Sequence, residues 1–395
     1  MDATRPLEVL AAETSGTSYT CHRYCFEQHT VPEPEPPEDS QKFEVLDVGE
    51  THPRKCPTDV YALATRIHRL ENPPIFRFFL DGSRRTYKVD DMEYDRRIFP
   101  ILAGQLGVAC TERQARDQFH CLPDATTVRL VLTVPAYADP NGPCPEFFNR
   151  LLNTINQNSR SRRGGICIDQ IIPYNDNKHD SENLTYENIA IATLHEHMLD
   201  LEKRAVHVLA NERGLLKEDR YLIKDGSLEY ARSQVGEFGD LSLIRNNFRF
   251  VVGVSKSFNP EHCVDEKHRP NAARIASLQA GQRTPAFKFR SERSAGQGGG
   301  VYFVAWYLRL RGMHNTISPF DGVLKVELIL AGDSPNDEKI DTEEIDSISA
   351  HLLLERLPTC YGKDPRWPNH LYPVHLTERY LKARFLGDTM IMNLL

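Results

Sequence analysis

Two segments of this sequence share one pattern, a run of apolar residues that ends in aspartate, glycine and serine. The first is residues 75–83 and the second is residues 221–228. A strand that breaks into a loop just after an aspartate holds the carboxylate in place and leaves room for a substrate beside it. Each segment therefore predicts an acidic side chain, Asp81 or Asp225, at the end of a core strand.

A third acid lies on a predicted helix between these segments, over residues 184–213. Glu202 has apolar residues three and four positions away on both sides, so the periodicity places it on the side facing the core. An unpaired buried carboxylate is costly, which favours a metal ion or a cationic partner. A position at the edge of the stripe, reaching water or an arginine, is the alternative. The apolar stripe consists of Ile191, Leu194, Met198, Leu201, Ala205 and Val208.

The remaining pattern predicts an α/β fold with a mixed sheet. We expect a hairpin return at residues 86–89, further strands over 128–134, 248–256, 301–310 and 323–330, and helices over 58–70, 342–357 and 373–385. Residues 1–57, with the proline-rich stretch 32–39, read as an N-terminal arm or lead-in. Residues 58–395 would then form the main domain, with an insertion at 139–183.

Composition sets limits on the setting and the partner. The 395 residues carry a formal net charge of -7, which argues against a protein that coats nucleic acid non-specifically. Nine cysteines and no leading hydrophobic stretch predict a reducing, cytoplasmic setting. No apolar run approaches the roughly 20 residues of a membrane helix, so we expect no membrane association.

Asp81, Glu202 and Asp225 together suggest phosphodiester chemistry. Cleavage of a phosphodiester needs an activated water, stabilisation of the charge that develops at phosphorus, and help for the leaving oxygen. Two divalent ions held by carboxylates supply all three. The three acids have the right chemistry for such a site, although an Asp-Gly-Ser turn alone is common in proteins.

The order of the motifs resembles the NurA nuclease family. Asp-Gly-Ser after a strand, an acid on a helix, a second Asp-Gly-Ser, a strand ending in Val-Gly-Val-Ser-Lys and a late Tyr-Pro before the last helix follow one another from about residue 75 to 395. The resemblance implies an RNase H-like core, a mixed central sheet flanked by helices with insertions. It also implies a Mn²⁺-dependent (or Mg²⁺-dependent) DNA nuclease with two ions. Its partners would be DNA, a HerA-type hexameric ATPase and a second copy in a homodimer.

The resemblance also assigns residues one at a time. Asp81 and Asp225 match the family's two metal-binding aspartates, and Glu202 best matches the helical glutamate, with Glu196 and Asp200 as rivals. Lys256 matches the lysine that would contact phosphate, and Tyr372 matches the tyrosine of Tyr-Pro.

One position departs from the family pattern. The family usually has histidine or aspartate eight residues beyond the tyrosine of Tyr-Pro, whereas this chain has Tyr380. His375 is our first candidate for the missing metal ligand, and Glu378 and Tyr380 itself are the alternatives. The departure keeps a second possibility open, a catalytically weakened subunit that binds DNA or assembles with the ATPase.

Basic and aromatic residues near these motifs are candidates for nucleic-acid contacts. They are Arg84, Arg85, Lys256, Arg309 and Tyr372. Arg84 and Arg85 directly follow a predicted metal ligand, where a scissile phosphate would have to lie.

Overall fold

The computed structural model of the protein describes twelve stretches of the chain. They are residues 5–20, 22–26, 43–71, 73–158, 166–176, 185–229, 240–265, 267–291, 301–332, 334, 337–358 and 367–395. The proline-rich stretch 32–39 lies outside them. Among these residues, no helix has both the length and the apolar character needed to cross a membrane.

The described strands join into one mixed sheet of fifteen strands. The strands are β1 Thr17–Tyr19, β2 Tyr24–Cys25, β3 Phe43–Val48, β4 Thr58–Asp59, β5 Phe76–Tyr94, β6 Arg97–Ala115, β7 Gln118–Cys121, β8 Thr127–Pro135, β9 Gln170–Tyr174, β10 Tyr221–Asp225, β11 Val251–Ser255, β12 Gln282–Arg283, β13 Phe287–Ser291, β14 Tyr302–Arg309 and β15 Val323–Ile329.

Helices cover both faces of this sheet. They are α1 Pro6–Thr14, α2 Tyr61–Arg69, α3 Pro145–Asn158, α4 Tyr186–His207, α5 Leu241–Asn247, α6 Ala272–Ala276, α7 Thr342–Leu354, α8 Tyr372–Lys382 and α9 Asp388–Leu394. The long helix predicted over residues 184–213 is α4, which begins after Thr185 and continues as a π-helical turn over Val208–Glu212.

The centre of the sheet has the strand order β8-β6-β5-β10-β11. Neighbours β5, β6 and β8 are antiparallel, whereas β10 is parallel to β5 and β11 is parallel to β10. Helix α4 connects the β8–β9 side to β10. Three antiparallel strands, a helix and two strands parallel to the first form an RNase H-like core, so the predicted mixed α/β fold is confirmed.

Two apolar clusters show which helix lies on which face. Leu80 packs with Leu194 and Leu201 of α4. Its neighbour Phe79 belongs to a second cluster with Leu352 of α7 and Val374 of α8. Because successive side chains of a strand point to opposite faces, α4 covers one face at this position, and α7 and α8 cover the other.

The first Asp-Gly-Ser segment is not a turn, which corrects the sequence prediction. Asp81, Gly82 and Ser83 lie within β5, and the strand continues to Tyr94. The hairpin to β6 is made instead by Asp95 and Arg96, both with positive φ, which matches a two-residue type I′ loop. The second segment does turn as predicted, because β10 ends at Asp225 and Gly226 has a φ of 95°.

The described parts of the predicted arm and insertion take part in the sheet. Strands β1 and β2 pair with β5, and β3 pairs with β13. Within the predicted insertion, β9 runs parallel to β8, and α3 packs beside α1. These additions widen the RNase H-like core on both sides, and β14 and β15 form the predicted antiparallel pair.

Candidate active site

Asp81 and Asp225 lie side by side on two parallel strands. Lys224 of β10 pairs with Leu80 of β5, so the residue that follows each of them stands opposite the other. Leu80 faces α4, and the alternation of the strand therefore turns Asp81 toward α8. Two carboxylates thus project from neighbouring strands onto one face of the sheet.

The carboxyl group of Asp81 is almost fully buried, with 4% of the residue exposed. Its Oδ2 atom has no hydrogen-bond partner among the described residues. Burial raises the pKa of Asp81 well above its usual value, and the neighbouring charges of Asp225 and Glu378 raise it further. The ionised form of this carboxyl group is therefore unfavourable unless a cation binds beside it.

Lys256, just beyond the end of β11, supplies the nearest cation to Asp225. Its Nζ atom lies 2.6 Å from Oδ2 of Asp225. Burial alone would raise the pKa of Asp225, but Lys256 outweighs it and the pKa is lowered. Burial likewise opposes the charge of Lys256, yet Asp225 and Glu378 raise the pKa of this lysine above its usual value. Asp225 and Lys256 are thus an ion pair in the folded chain.

Helix α8 brings a third carboxylate to the same place. The Oγ1 atoms of Thr377 and Thr111 lie 2.6 Å apart, which fastens α8 across β6. Gly107 of β6 leaves space for the helix, since a Cβ at this position would press on Leu381. Glu378 follows Thr377 and points toward the aspartates.

Glu378 is held between two lysines. Its Oε1 atom accepts a hydrogen bond of 2.6 Å from Lys382, and its Oε2 atom lies 4.0 Å from Nζ of Lys256. Burial opposes its charge, but Lys256 and Lys382 lower the pKa of Glu378 below its usual value. Glu378 is therefore ionised at neutral pH.

Two histidines stand next to this glutamate. One ligand atom each of His370, His375 and Glu378 lies within 4.8 Å of the other two. His370 is 1% exposed, and its Nδ1 atom is 4.0 Å from Oε2 of Glu378. Burial lowers the pKa of His375 despite the nearby Glu378, so its ring is neutral at physiological pH. Neutral imidazoles can act as metal ligands.

Glu202 does not join this cluster, contrary to the sequence prediction. It is buried, as predicted, but it reaches the sheet from α4 at Gly82, where an added Cβ would overlap its Oε1 atom. Its Oε2 atom lies 2.9 Å from Nζ of Lys224. Lys224 and Asp225 are consecutive strand residues on opposite faces, so Glu202 and the aspartates are on opposite sides of the sheet.

The rival acids on α4 are also outside the cluster. Glu196 is exposed, and Asp200 accepts a hydrogen bond of 2.9 Å from Lys203. Tyr380 occupies the position where the NurA family usually has histidine or aspartate. Its ring packs against the guanidinium of Arg384, 4.9 Å from the ring centroid.

The candidate nucleic-acid residues differ in how far their side chains are exposed. Arg84 donates to a carbonyl of α4, whereas Arg85 lies on the α8 face, 3.3 Å from Asp388 and beside the Phe385 ring. The ring of Tyr372, at the start of α8, stacks on Arg356 at 4.5 Å. These three remain partly exposed.

Arg309 is the exception, and the prediction of a DNA contact is wrong for this residue. Its side chain is fully buried, and its guanidinium donates to the carbonyls of Asp321, Ile275 and Pro319. A guanidinium enclosed in this way supports the loop between β14 and β15 and cannot meet a phosphate.

The donor set of this cluster fits a divalent cation. Two imidazoles have a ligand atom within 4.8 Å of one of Glu378, and Oδ2 of Asp81 is buried without a hydrogen-bond partner among the described residues. Carboxylate oxygens suit Mg²⁺ and Mn²⁺, and imidazole suits the transition ions. Asp81, Asp225 and Glu378 are the residues that could hold such an ion, and His375 lies beside Glu378.

The sequence analysis did not single out His370, and it named Glu378 as an alternative ligand. His375 and Glu378 are three residues apart on a helix, a spacing that places two side chains on one face. That signal was present in the sequence. His370 lies before the helix and in no recognised motif, so only the fold brings it to the site.

Comparisons with known proteins find a distant structural similarity. The chain matches no established family model, and no curated protein matches it. Among solved structures, the NurA nuclease from Sulfolobus solfataricus is similar to this chain, with a TM-score of 0.36 and 11% sequence identity. The match covers 81% of this chain and 87% of that one. The relationship is therefore a distant structural one.

Proposed function

We propose that this protein is a divalent-metal-dependent DNA nuclease whose reaction centre consists of Asp81, Asp225, Glu378 and Lys256. The observation that carries the proposal is the meeting of three carboxylates from β5, β10 and α8 around one buried ammonium. Acids from separate elements rarely crowd together in a protein interior unless a cation or a reaction requires it.

Each residue has a role that follows from its surroundings. Asp81 and Asp225 would hold Mn²⁺ or Mg²⁺, with Glu378 completing the set. The bound ions would polarise the phosphate and lower the pKa of the attacking water. Lys256 would orient a phosphate oxygen, because its ammonium is fixed beside Asp225 and turned toward Glu378.

Basic side chains on the same helix support a nucleic-acid substrate. Arg379, Lys382 and Arg384 of the α8 region are exposed, and Lys382 donates a hydrogen bond to Glu378. Exposed cations next to a reaction centre can bind the backbone phosphates that flank the scissile phosphate. Arg85 and Tyr372, on the same side of the sheet, would extend this contact.

The proposed partners are a HerA-type hexameric ATPase and a second copy of this chain. What supports the ATPase is the resemblance in sequence motifs and the net charge of -7, which predicts weak capture of DNA by this chain alone. No phosphate-binding loop with a Gly-Lys-Ser or Gly-Lys-Thr end occurs in the sequence. Movement along DNA driven by ATP would therefore need another protein.

A cleavage assay on the full chain tests the proposal. Labelled single- and double-stranded DNA is incubated with Mn²⁺, Mg²⁺ or EDTA, with and without a HerA-type ATPase and ATP. Asp81→Asn and Asp225→Asn should each abolish metal-dependent cleavage. Asp91→Asn is the matched control, because Asp91 lies on the same strand and pairs with Lys88 far from the cluster. Cleavage that survives in both site variants would refute the proposed centre.

A second candidate is a catalytically weakened subunit that binds DNA or assembles with the ATPase. The placement of Glu202 favours it, because the helical acid expected at the centre is engaged by Lys224 on the other face. The same assay separates the two. A weakened subunit would bind DNA or the ATPase without cleaving under any metal condition.

A further inference from the structure

We infer that His370, His375 and Glu378 form a binding site for one transition-metal ion, separate from the aspartate pair and sharing only Glu378 with the reaction centre. The inference rests on the proposed function because Glu378 belongs to both sites. Metal binding at the histidine site can nevertheless be measured without DNA.

The geometry brings three ligand atoms to one point. An atom of each residue lies within 4.8 Å of the other two, so modest side-chain rotations can place all three around a single ion. Ligand bonds to zinc from imidazole nitrogen or carboxylate oxygen are about 2 Å long. Two histidines and one glutamate leave a coordination position open, as in catalytic zinc sites.

Hydrogen bonds in the loop before α8 hold His370 in place. The amide of His370 donates to the Trp367 carbonyl at 3.2 Å, and its neighbour Asn369 donates to the carbonyl of Lys256 at 2.7 Å. Asn369 also accepts a hydrogen bond from the amide of Gly322. His370 is therefore held in place by the loop before α8, whereas His375 and Glu378 are held by the helix.

The chemistry of the ligands selects the class of ion. Imidazole nitrogens favour Zn²⁺ and other late first-row transition ions such as Co²⁺, whereas Mg²⁺ and Ca²⁺ prefer sites made entirely of oxygen atoms. The aspartate pair offers oxygen atoms alone. The cluster therefore contains two kinds of position that differ in the ion they prefer, and Glu378 lies between them.

Co²⁺ is a suitable probe, because its visible absorption reports ligand type and geometry. The full chain is freed of metal with EDTA, and Co²⁺ is titrated without DNA while the absorption is followed. We expect a Co²⁺ site that a large excess of Mg²⁺ does not empty. His370→Gln and His375→Gln should each weaken Co²⁺ binding by roughly tenfold or more, since loss of even a residue that supports a ligand costs that much.

Two controls keep the test decisive. His351→Gln alters a histidine in α7 that is also buried, and it should leave Co²⁺ binding unchanged. Asp81→Asn tests the other position, because Co²⁺ held by the aspartate pair should be lost in this variant while the absorption that depends on the histidines remains. His375 is only partly buried, so its variant should fold even if the His370 variant does not, as circular dichroism would verify.

The outcomes distinguish this inference from the proposed function. Co²⁺ binding that depends on both histidines supports the site even if no DNA is cleaved. Co²⁺ binding that is unchanged in His375→Gln overturns the site even if metal-dependent cleavage is observed. Binding that is lost in Asp81→Asn and retained in the histidine variants also overturns it, because the ion would then belong to the aspartates.

Discussion

The ammonium of Lys256 lies 2.6 Å from the Asp225 carboxylate, in a position where 12% of the lysine side chain and 11% of the aspartate side chain are exposed. The pair neutralises one of the three acids that meet on this face of the sheet. Asp81 has no ion-pair partner within the described part of the chain, and its burial, together with the charges of Asp225 and Glu378, raises its pKa. Two neighbouring aspartates of the same site should therefore respond to mutation in opposite ways.

Asp81→Asn should preserve or increase the free energy of unfolding of the metal-free chain at neutral pH. The folded-state pKa of Asp81 is raised, so its ionisation costs stability as the pH rises above its unfolded value of about 3.9. The variant removes that cost. Its advantage over wild type should be absent below about pH 4 and should grow toward neutral pH. Urea unfolding in EDTA at a series of pH values measures it.

Asp225→Asn should have the opposite effect under the same conditions. Its pKa is lowered, so the carboxylate stabilises the fold above its unfolded pKa, and the variant leaves Lys256 without its closest counter-charge. We expect a loss of about 3 kcal/mol at neutral pH, as for other broken buried pairs. Equal losses in the Asp81 and Asp225 variants would contradict this account of the pair.

Glu202→Gln should destabilise the protein without abolishing metal-dependent cleavage. Glu202 pairs with Lys224 on the face opposite the reaction centre, and both side chains are nearly fully buried, at 3% and 2% exposed. Removing one member leaves the other charge buried, which typically costs about 3–5 kcal/mol. Urea unfolding and the DNA cleavage assay on the same preparation measure the two effects separately.

Lys224→Met removes the other member of the Glu202–Lys224 pair. If the two residues form one pair, the double variant should lose much less stability than the sum of the single losses. Complete loss of cleavage in a folded Glu202→Gln protein would mean that the acid acts at the centre in spite of its position.

Gly82 explains why the sequence misled on this part of the site. An Asp-Gly-Ser segment after apolar residues is typical of a turn, and Gly226 fulfils that expectation with its positive φ. Gly82 serves another need, the close approach of the Glu202 side chain to a continuous strand. Local sequence cannot distinguish a glycine needed for a turn from one needed for space.

The periodicity of α4 was informative up to a limit. It correctly predicted that Glu202 is buried, because the apolar stripe defines the side that packs on the sheet. It could not show that Asp81 leaves the sheet on the other face. That depends on the register of β5 and β10, which long-range pairing sets.

Arg309→Gln should reduce stability and leave DNA binding unchanged, unlike Arg85→Gln. The guanidinium of Arg309 supports three carbonyls in the interior, so its loss leaves buried acceptors without donors. Arg85 is partly exposed near α8, and its loss should weaken DNA binding while costing little stability. Fluorescence anisotropy with labelled DNA and thermal unfolding compare the two. Weaker DNA binding by a folded Arg309→Gln protein would contradict the interior role.

His351 of α7 should make the fold sensitive to mild acid. The residue is 7% exposed and meets the Phe76 ring edge-on at 6.4 Å, and burial lowers its pKa to about 4. Its unfolded pKa is about 6.5, so only the unfolded chain binds this proton between those values. The stability it contributes is complete above pH 6.5 and is lost as the pH falls toward 4.

His351→Gln replaces the imidazole with a side chain that binds no proton in this range. Relative to wild type, the free energy of unfolding of the variant should therefore gain on the order of 2 kcal/mol between pH 7 and pH 4, as urea unfolding would measure. His314→Gln, at an exposed position, is the control and should follow wild type throughout. A pH dependence that is the same in wild type and His351→Gln would show that another group takes up the proton.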